Sequence, residues 1–125
     1  TGRPRRCGWL DGFLLKNMVQ ASGVDGLCLT KIDVLDNLEK IKIGTEYSSN
    51  LSKEEIIETM DLEDASPIYL ELDGWSEPTA GKTAYEDLHE NAKSFVEKIE
   101  EISGVPVIMI STGPKREDTI IRKKI

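Results

Sequence analysis

The sequence predicts an α/β fold. Apolar runs of strand length, stretches of strict polar–apolar alternation and stretches of helical periodicity follow one another along the chain instead of clustering by type. At 125 residues and 38% hydrophobic, the chain suffices for one domain with its own core and is too short for two.

The elements follow in order. "WLDGFLLKNMVQASG" places Leu10, Phe13, Leu14 and Met18 on one helical face, and Gly23 supplies the stop. "GLCLTKIDVLD" holds an apolar run suited to a buried strand at 27–32, with Lys31 and Asp33 marking its exit. "IKIGTEY" alternates Ile41, Ile43, Thr45 and Tyr47 against polar or small residues, the period of a half-buried strand. Ser52 and Glu55 have capping-box spacing and open a short helix. "PIYLELDGW" alternates again, which predicts a strand at 68–72. Thr83 and Glu86 form a second capping box, followed by an apolar stripe from Tyr85 through Leu88, Ala92, Phe95, Val96 and Ile99 to Ile102, ended by Gly104. "VPVIMI" is a near-continuous apolar strand at 105–110, and "STGP" breaks it. The 27–32 and 105–110 strands are expected to lie centrally.

Net charge is −7, but it is unevenly spread. Residues 1–31 carry five Lys/Arg against two Asp/Glu, residues 32–104 six against nineteen, and residues 105–125 five against two. A large acidic surface repels phosphate backbones, so nucleic acid is not an expected partner, while the basic ends suit a small anionic ligand. No apolar run approaches the roughly 20 residues of a membrane span and no signal peptide is evident, which predicts a soluble, cytoplasmic protein without a membrane partner. Cys7 and Cys28 lack CxxC spacing and read as two reduced thiols. The chain opens on Thr1 instead of Met and enters directly on a turn, which suggests a piece of a longer protein.

Three segments carry candidate chemistry. In "LTKID", Asp33 follows Lys31 by two residues at a strand end. A carboxylate there accepts from both N1–H and the 2-amino group of guanine, a donor pair adenine lacks, while a lysine stem lies along the base. A solvated turn fits the same letters. "ISTGPKRED" follows the other apolar strand, and Ser111, Thr112 and Gly113 form a small-residue loop that lets backbone approach a flat ligand. An ordinary strand exit fits equally. If the two strands run parallel, both loops face one sheet edge. "TGRPRR" sets Arg3, Arg5 and Arg6 around Gly2 and Pro4, a turn that aims guanidinium forks at carboxylate or phosphate or stands as a solvated basic surface. Gly81, Lys82 and Thr83 imitate the end of a P-loop, yet Ser76 stands where its first glycine belongs, so no phosphate cradle is expected there. His89 reads as a surface or boundary residue, and neither a metal set nor a Ser/His/Asp set can be assembled.

In this order and spacing, "TGRPRRCGWLD", "LTKIDVLD", "PIYLELDGWSE" and "GVPVIMISTGPKRED" resemble the C-terminal part of the adenylosuccinate synthetases, over essentially the whole chain. The resemblance implies a fragment, residues 1–125, of a P-loop-like, GTP-using synthetase with a central mostly parallel sheet flanked by helices. It implies ligation of IMP and L-aspartate to adenylosuccinate in purine biosynthesis, with GTP hydrolysed to GDP and phosphate and Mg2+ required. The family phosphorylates the 6-oxygen of IMP and then displaces that phosphate with the aspartate amine. Residue by residue, Thr1, Gly2, Arg3, Pro4 and Arg5 match the substrate loop (1–6): Arg3 matches the arginine on aspartate and IMP, and Arg5 the one reaching the aspartate carboxylate and GTP. Lys31, Ile32 and Asp33 match the guanine segment (30–33), with Asp33 the base reader, and Ser111, Thr112 and Gly113 the second guanine loop (111–114). The catalytic Asp and His, the phosphate loop and the Mg2+ site belong to an upstream part without counterpart here, so this piece alone is expected to be inactive. The family is homodimeric. A free-standing guanine-nucleotide module and a purely structural domain are the alternatives.

Overall fold

The computed structural model describes residues 2, 4 and 7–122. Its elements run β1 (Leu10–Asp11), α1 (Gly12–Ser22), β2 (Leu27–Leu29), a 3-10 turn (Ile32–Leu35), β3 (Lys40–Ser48), α2 (Lys53–Thr59), β4 (Ser66–Asp73), a second 3-10 turn (Tyr85–Asp87), α3 (Glu90–Ser103), β5 (Val107–Ser111) and β6 (Thr119–Ile121). The α/β class is as expected. Within the described residues the strands form two three-stranded sheets, β1-β3-β4 and β2-β5-β6. Both are mixed, with β1–β3 and β2–β5 parallel and β3–β4 and β5–β6 antiparallel, so this portion does not itself form one mostly parallel sheet.

The two sheets share a core. Ile41 and Ile43 of β3, Val107 and Ile110 of β5, and Ala92, Phe95, Val96 and Ile99 of α3 belong to one buried cluster. The α3 residues recur at the spacing of one helical face, as the sequence predicts. Gly104 ends α3 in the left-handed conformation, its N–H bonded to the carbonyl of Glu100. One turn earlier in α3, Glu100 accepts from the backbone N–H of Val107 at 2.9 Å and pairs with Arg122 at 3.1 Å, so one carboxylate ties the helix, β5 and the residue after β6 together. The Arg122 guanidinium also lies 4.2 Å from the centre of the Tyr85 ring.

Several local expectations are corrected. The first helix begins at Gly12, because Leu10 and Asp11 pair with Ile43 and Gly44 of β3 and Asp11 caps the helix, its Oδ1 accepting from Leu14 N at 2.9 Å. Its Oδ2 accepts from the Tyr47 hydroxyl. Met18 faces solvent and Val19 is buried instead. β2 stops at Leu29, since Lys31 turns left-handed at φ 61°, and Ile32 enters the core from a 3-10 turn instead of a strand. β2 also sits at its sheet's edge with Cys28 exposed, leaving β5 as the central strand. The Thr83–Glu86 box does not start α3: residues 85–87 form a separate turn, Leu88 is extended, and His89 caps the helix by accepting from Asn91 N at 3.0 Å. The half-buried position of His89 fits the boundary reading. At Ser52 the box forms as expected, with Oγ accepting from Glu55 N at 3.1 Å. β6 was not foreseen; three residues paired with β5 leave too little periodicity to read.

Candidate functional site

The decisive geometric fact is the direction of β2 and β5. They pair in parallel, Leu27↔Val107 to Leu29↔Ile110, so the segments leaving their carboxyl ends, 30–36 and 111–118, emerge at the same sheet edge. The condition attached to the sequence reading is met, and Lys31, Ile32 and Asp33 stand on the same rim as Ser111, Thr112 and Gly113.

The first rim segment is a tight turn. Val34 N donates to Lys31 O at 3.2 Å and Asp36 N to Asp33 O at 3.1 Å, while Ile32, 1% exposed, anchors the turn in the core. Lys31 holds a left-handed backbone conformation that costs a non-glycine residue about 1 kcal/mol and bends the chain out of the strand line. The two carboxylates of this turn differ. Asp33 is half-buried, and among the described residues its side chain has no hydrogen-bond partner. Both oxygens of Asp36 are taken: Oδ1 accepts from Trp75 Nε1 and from Thr79 Oγ1, each at 2.7 Å, and Oδ2 from Thr79 N at 3.0 Å.

The second rim segment is held as firmly. Thr112 is fully buried; its N–H donates to Asp118 O at 2.8 Å and its hydroxyl to Lys82 O at 2.7 Å, and its carbonyl accepts from Gly81 N at 3.2 Å. Gly113 packs against the Asp118 side chain so closely that a Cβ would stand 2.4 Å from Oδ2, so any larger residue there displaces that carboxylate. Ser111 donates to Gly113 O at 3.4 Å.

Sequence reasoning missed what joins the segments. The 75–82 stretch, considered only as a failed P-loop, lies between them: Thr79 bonds Asp36 on one side, and Gly81 and Lys82 bond Thr112 on the other. Among the described residues three polar side chains are buried, Thr79, Ser103 and Thr112, and two of them lie in this seam. The only local signal is the second aspartate in "KIDVLD"; its partner is 43 residues away, beyond the reach of any periodicity argument.

Of the arginine segment, Thr1, Arg3, Arg5 and Arg6 lie outside the described residues. Gly2, left-handed at φ 72°, and Pro4 are exposed. The root of this segment faces the Asp33 turn across an apolar cavity of about 520 Å³, with Cys7, Gly8 and Trp9 on one wall and Val34 and Leu35 on the other. Cys7 and Cys28 form no disulfide. Among the described residues no group of three or more His, Cys, Asp or Glu side chains is placed to hold a metal ion, and no helix is long and apolar enough to cross a membrane.

Known proteins share this sequence pattern and fold. The sequence profile of the adenylosuccinate synthetase family matches residues 1–120. The adenylosuccinate synthetase of Herminiimonas arsenicoxydans is 51% identical over 124 residues, covering 97% of this chain, and that of Bordetella avium (strain 197N) is 46% identical over 123 residues, also covering 97%. The chain spans 28% of the length of each. In three dimensions it superposes on fully ligated adenylosuccinate synthetase from Plasmodium falciparum with a TM-score of 0.84 at 34% identity, over 97% of this chain and 30% of that one. With the profile spanning nearly the whole sequence and the fold in agreement, this chain belongs to the adenylosuccinate synthetase family.

Proposed function

We propose that the chain is the C-terminal portion of an adenylosuccinate synthetase, supplying the guanine-recognition rim for GTP and the arginine segment for L-aspartate. The whole enzyme joins IMP and L-aspartate at the expense of GTP in the cytoplasm, as a homodimer. In this reading Asp33 accepts from N1–H and the 2-amino group of guanine, the Lys31 stem lies along the base, and Ile32 seats the turn. Ser111, Thr112 and Gly113 present backbone to the opposite side of the base. Thr1, Gly2, Arg3, Pro4 and Arg5 form the lid that grips aspartate, with Arg5 also turned toward GTP. Mg2+, the phosphate loop and the catalytic Asp and His belong to the part of the enzyme outside this chain, so the piece alone does not turn over.

The observation that carries the reading is the parallel pairing of β2 with β5, which gives both predicted base-binding segments a common rim. An Asp33 carboxylate without a hydrogen-bond partner among the described residues, beside an Asp36 carboxylate that accepts three bonds from Trp75 and Thr79, supports it further. The cavity between residues 7–9 and the Asp33 turn supports the nearness of the aspartate segment to the base rim.

The test uses the full-length enzyme. Asp33→Asn keeps the shape but loses a charge-assisted bond pair, so KM for GTP rises about 10- to 100-fold while KM for IMP is nearly unchanged. Arg3→Leu raises KM for aspartate and spares that for GTP. An unchanged GTP constant in the first variant, or wild-type aspartate saturation in the second, removes the corresponding assignment.

A further inference from the structure

We infer that Asp36 is a positioning residue for base recognition: through Thr79 and Thr112 it holds the turn that carries Asp33 and the 111–114 loop in one fixed relation. This deepens the reading given above and rests on Asp33 as the base reader.

A base held between two loops is recognised only if both keep their places relative to each other. β2 and β5 alone do not ensure this, because their pairing ends at Leu29↔Ile110, before either loop begins. The connection is made beyond the sheet, by the Asp36, Thr79 and Thr112 side chains together with main-chain bonds from Asn37 N to Trp75 O at 2.9 Å and from Gly81 N to Thr112 O at 3.2 Å. Asp36 ends the same turn that contains Asp33, its N–H bonded to Asp33 O, so fixing its carboxylate fixes the backbone from which the Asp33 side chain projects. That carboxylate is satisfied by Trp75 and twice by Thr79. From Thr79 the path continues through a turn, Lys82 N to Thr79 O at 3.1 Å, to the two bonds that join Gly81 and Lys82 to Thr112. Thr79 and Thr112 are fully buried and Trp75 is 3% exposed, so these bonds do not exchange readily with water. Because both Asp36 oxygens are engaged, it does not compete with Asp33 for the base; its contribution is where Asp33 stands.

The chemistry of this site suits an aspartate and not an asparagine. An asparagine can keep its oxygen toward Trp75 Nε1 and the Thr79 hydroxyl, but its NH2 group then faces Thr79 N–H, donor against donor, and the 3.0 Å bond is lost. Valine at 79 keeps the volume and removes the hydroxyl. Serine keeps the hydroxyl and the backbone bond.

The experiment compares Asp36→Asn, Thr79→Val and Thr79→Ser in the full-length enzyme with Asp33→Asn as reference, measuring kcat and KM for GTP, inosine triphosphate, IMP and aspartate, and the melting midpoint. Inosine triphosphate lacks the 2-amino group and reports whether the carboxylate of Asp33 is still aimed at it. Asp36→Asn and Thr79→Val are expected to raise KM for GTP about 10-fold, to narrow the preference for GTP over inosine triphosphate, and to leave kcat at saturating GTP and KM for IMP near wild type. Thr79→Ser returns the GTP constant to near the wild-type value. If Asp33→Asn raises the GTP constant and neither Asp36→Asn nor Thr79→Val does, the positioning role is overturned while base reading stands. If Asp33→Asn has no effect on GTP, the reading itself falls and this inference with it. Equal losses for GTP, IMP and aspartate, with no change in the preference over inosine triphosphate, would reduce Asp36 to a general structural role and overturn the inference. Should Asp36→Asn fail to fold, the Thr79→Val and Thr79→Ser pair decides the matter alone.

Discussion

The β3–β4 ladder runs from Lys40↔Asp73 to Ser48↔Ser66, interrupted once by a bulge at Thr45, whereas β2 meets β5 over three positions only. The first region is held by main-chain bonds that any sequence of suitable pattern supplies. In the second, the loops beyond the short pairing are held by particular side chains, Asp36, Thr79 and Thr112, each with a partner far away in sequence. Backbone ladders tolerate substitution and confer shape, while side-chain bonds tolerate little and confer position. The candidate site lies at the end of the second kind of structure, so stability and recognition should respond to mutation in different places.

The largest expected effect tests that separation. Ile43 is fully buried on β3, and Ile43→Ala removes three methyl or methylene groups from the core, a loss of about 2–5 kcal/mol. Urea unfolding of the full-length enzyme should show it while KM for GTP, measured where the variant is folded, stays at the wild-type value. A raised GTP constant would mean the two regions are not separable.

Lys31→Gly sharpens the comparison from the other side. Glycine adopts φ near 61° without strain, so stability holds or rises by up to about 1 kcal/mol, the gain being partly offset by the greater freedom of glycine in the unfolded chain. GTP binding weakens several-fold in the same variant, because the stem proposed to lie along the base is gone. Stability and affinity moving in opposite directions is the signature of a strained residue kept for binding.

The smallest effect is pH-dependent. Burial, then the hydrogen bond to the Asp11 carboxylate, pushes the Tyr47 hydroxyl up to about 12 from its ordinary 10. The folded protein therefore keeps a proton that the unfolded chain gives up from pH 10 onward. The bond's contribution is present below pH 10 and is lost as pH rises toward 12. Tyr47→Phe should cost about 1 kcal/mol at neutral pH, and the gap between variant and wild type should close across that alkaline window. A gap that stays constant with pH would show that the hydroxyl contributes only by packing.

What was legible in the sequence follows the same division. The apolar face of α3, the alternation in β3, the Ser52 cap and the glycine stops at Gly23 and Gly104 depend on neighbours within a few residues, and each took its expected form. The rim proposed to bind the base was legible as two segments because strand-to-loop exits are local too. Their connection was not, since Asp36 and Thr79 are 43 residues apart and neither is unusual where it stands. The Thr83–Glu86 box misled for a related reason: Asn91 donates to Gly74 O at 2.8 Å and Leu88 is buried as an extended residue, and these tertiary contacts place the helix start at His89. Met18 failed because the face of α1 turned to the core runs through Gly12, Leu15 and Val19, at i, i+3 and i+7, and Met18 lies about 100° around the helix from Val19.

The buried seam also gives the molecule a built-in reporter. Amides in loops ordinarily trade their hydrogens with water within seconds, yet Thr79 N and Gly81 N are each bonded across this junction, to Asp36 and to Thr112. In deuterium these two should outlast ordinary loop amides, and any change that parts the two loops should release them together. Their isotope uptake would then read the integrity of the rim without a nucleotide present.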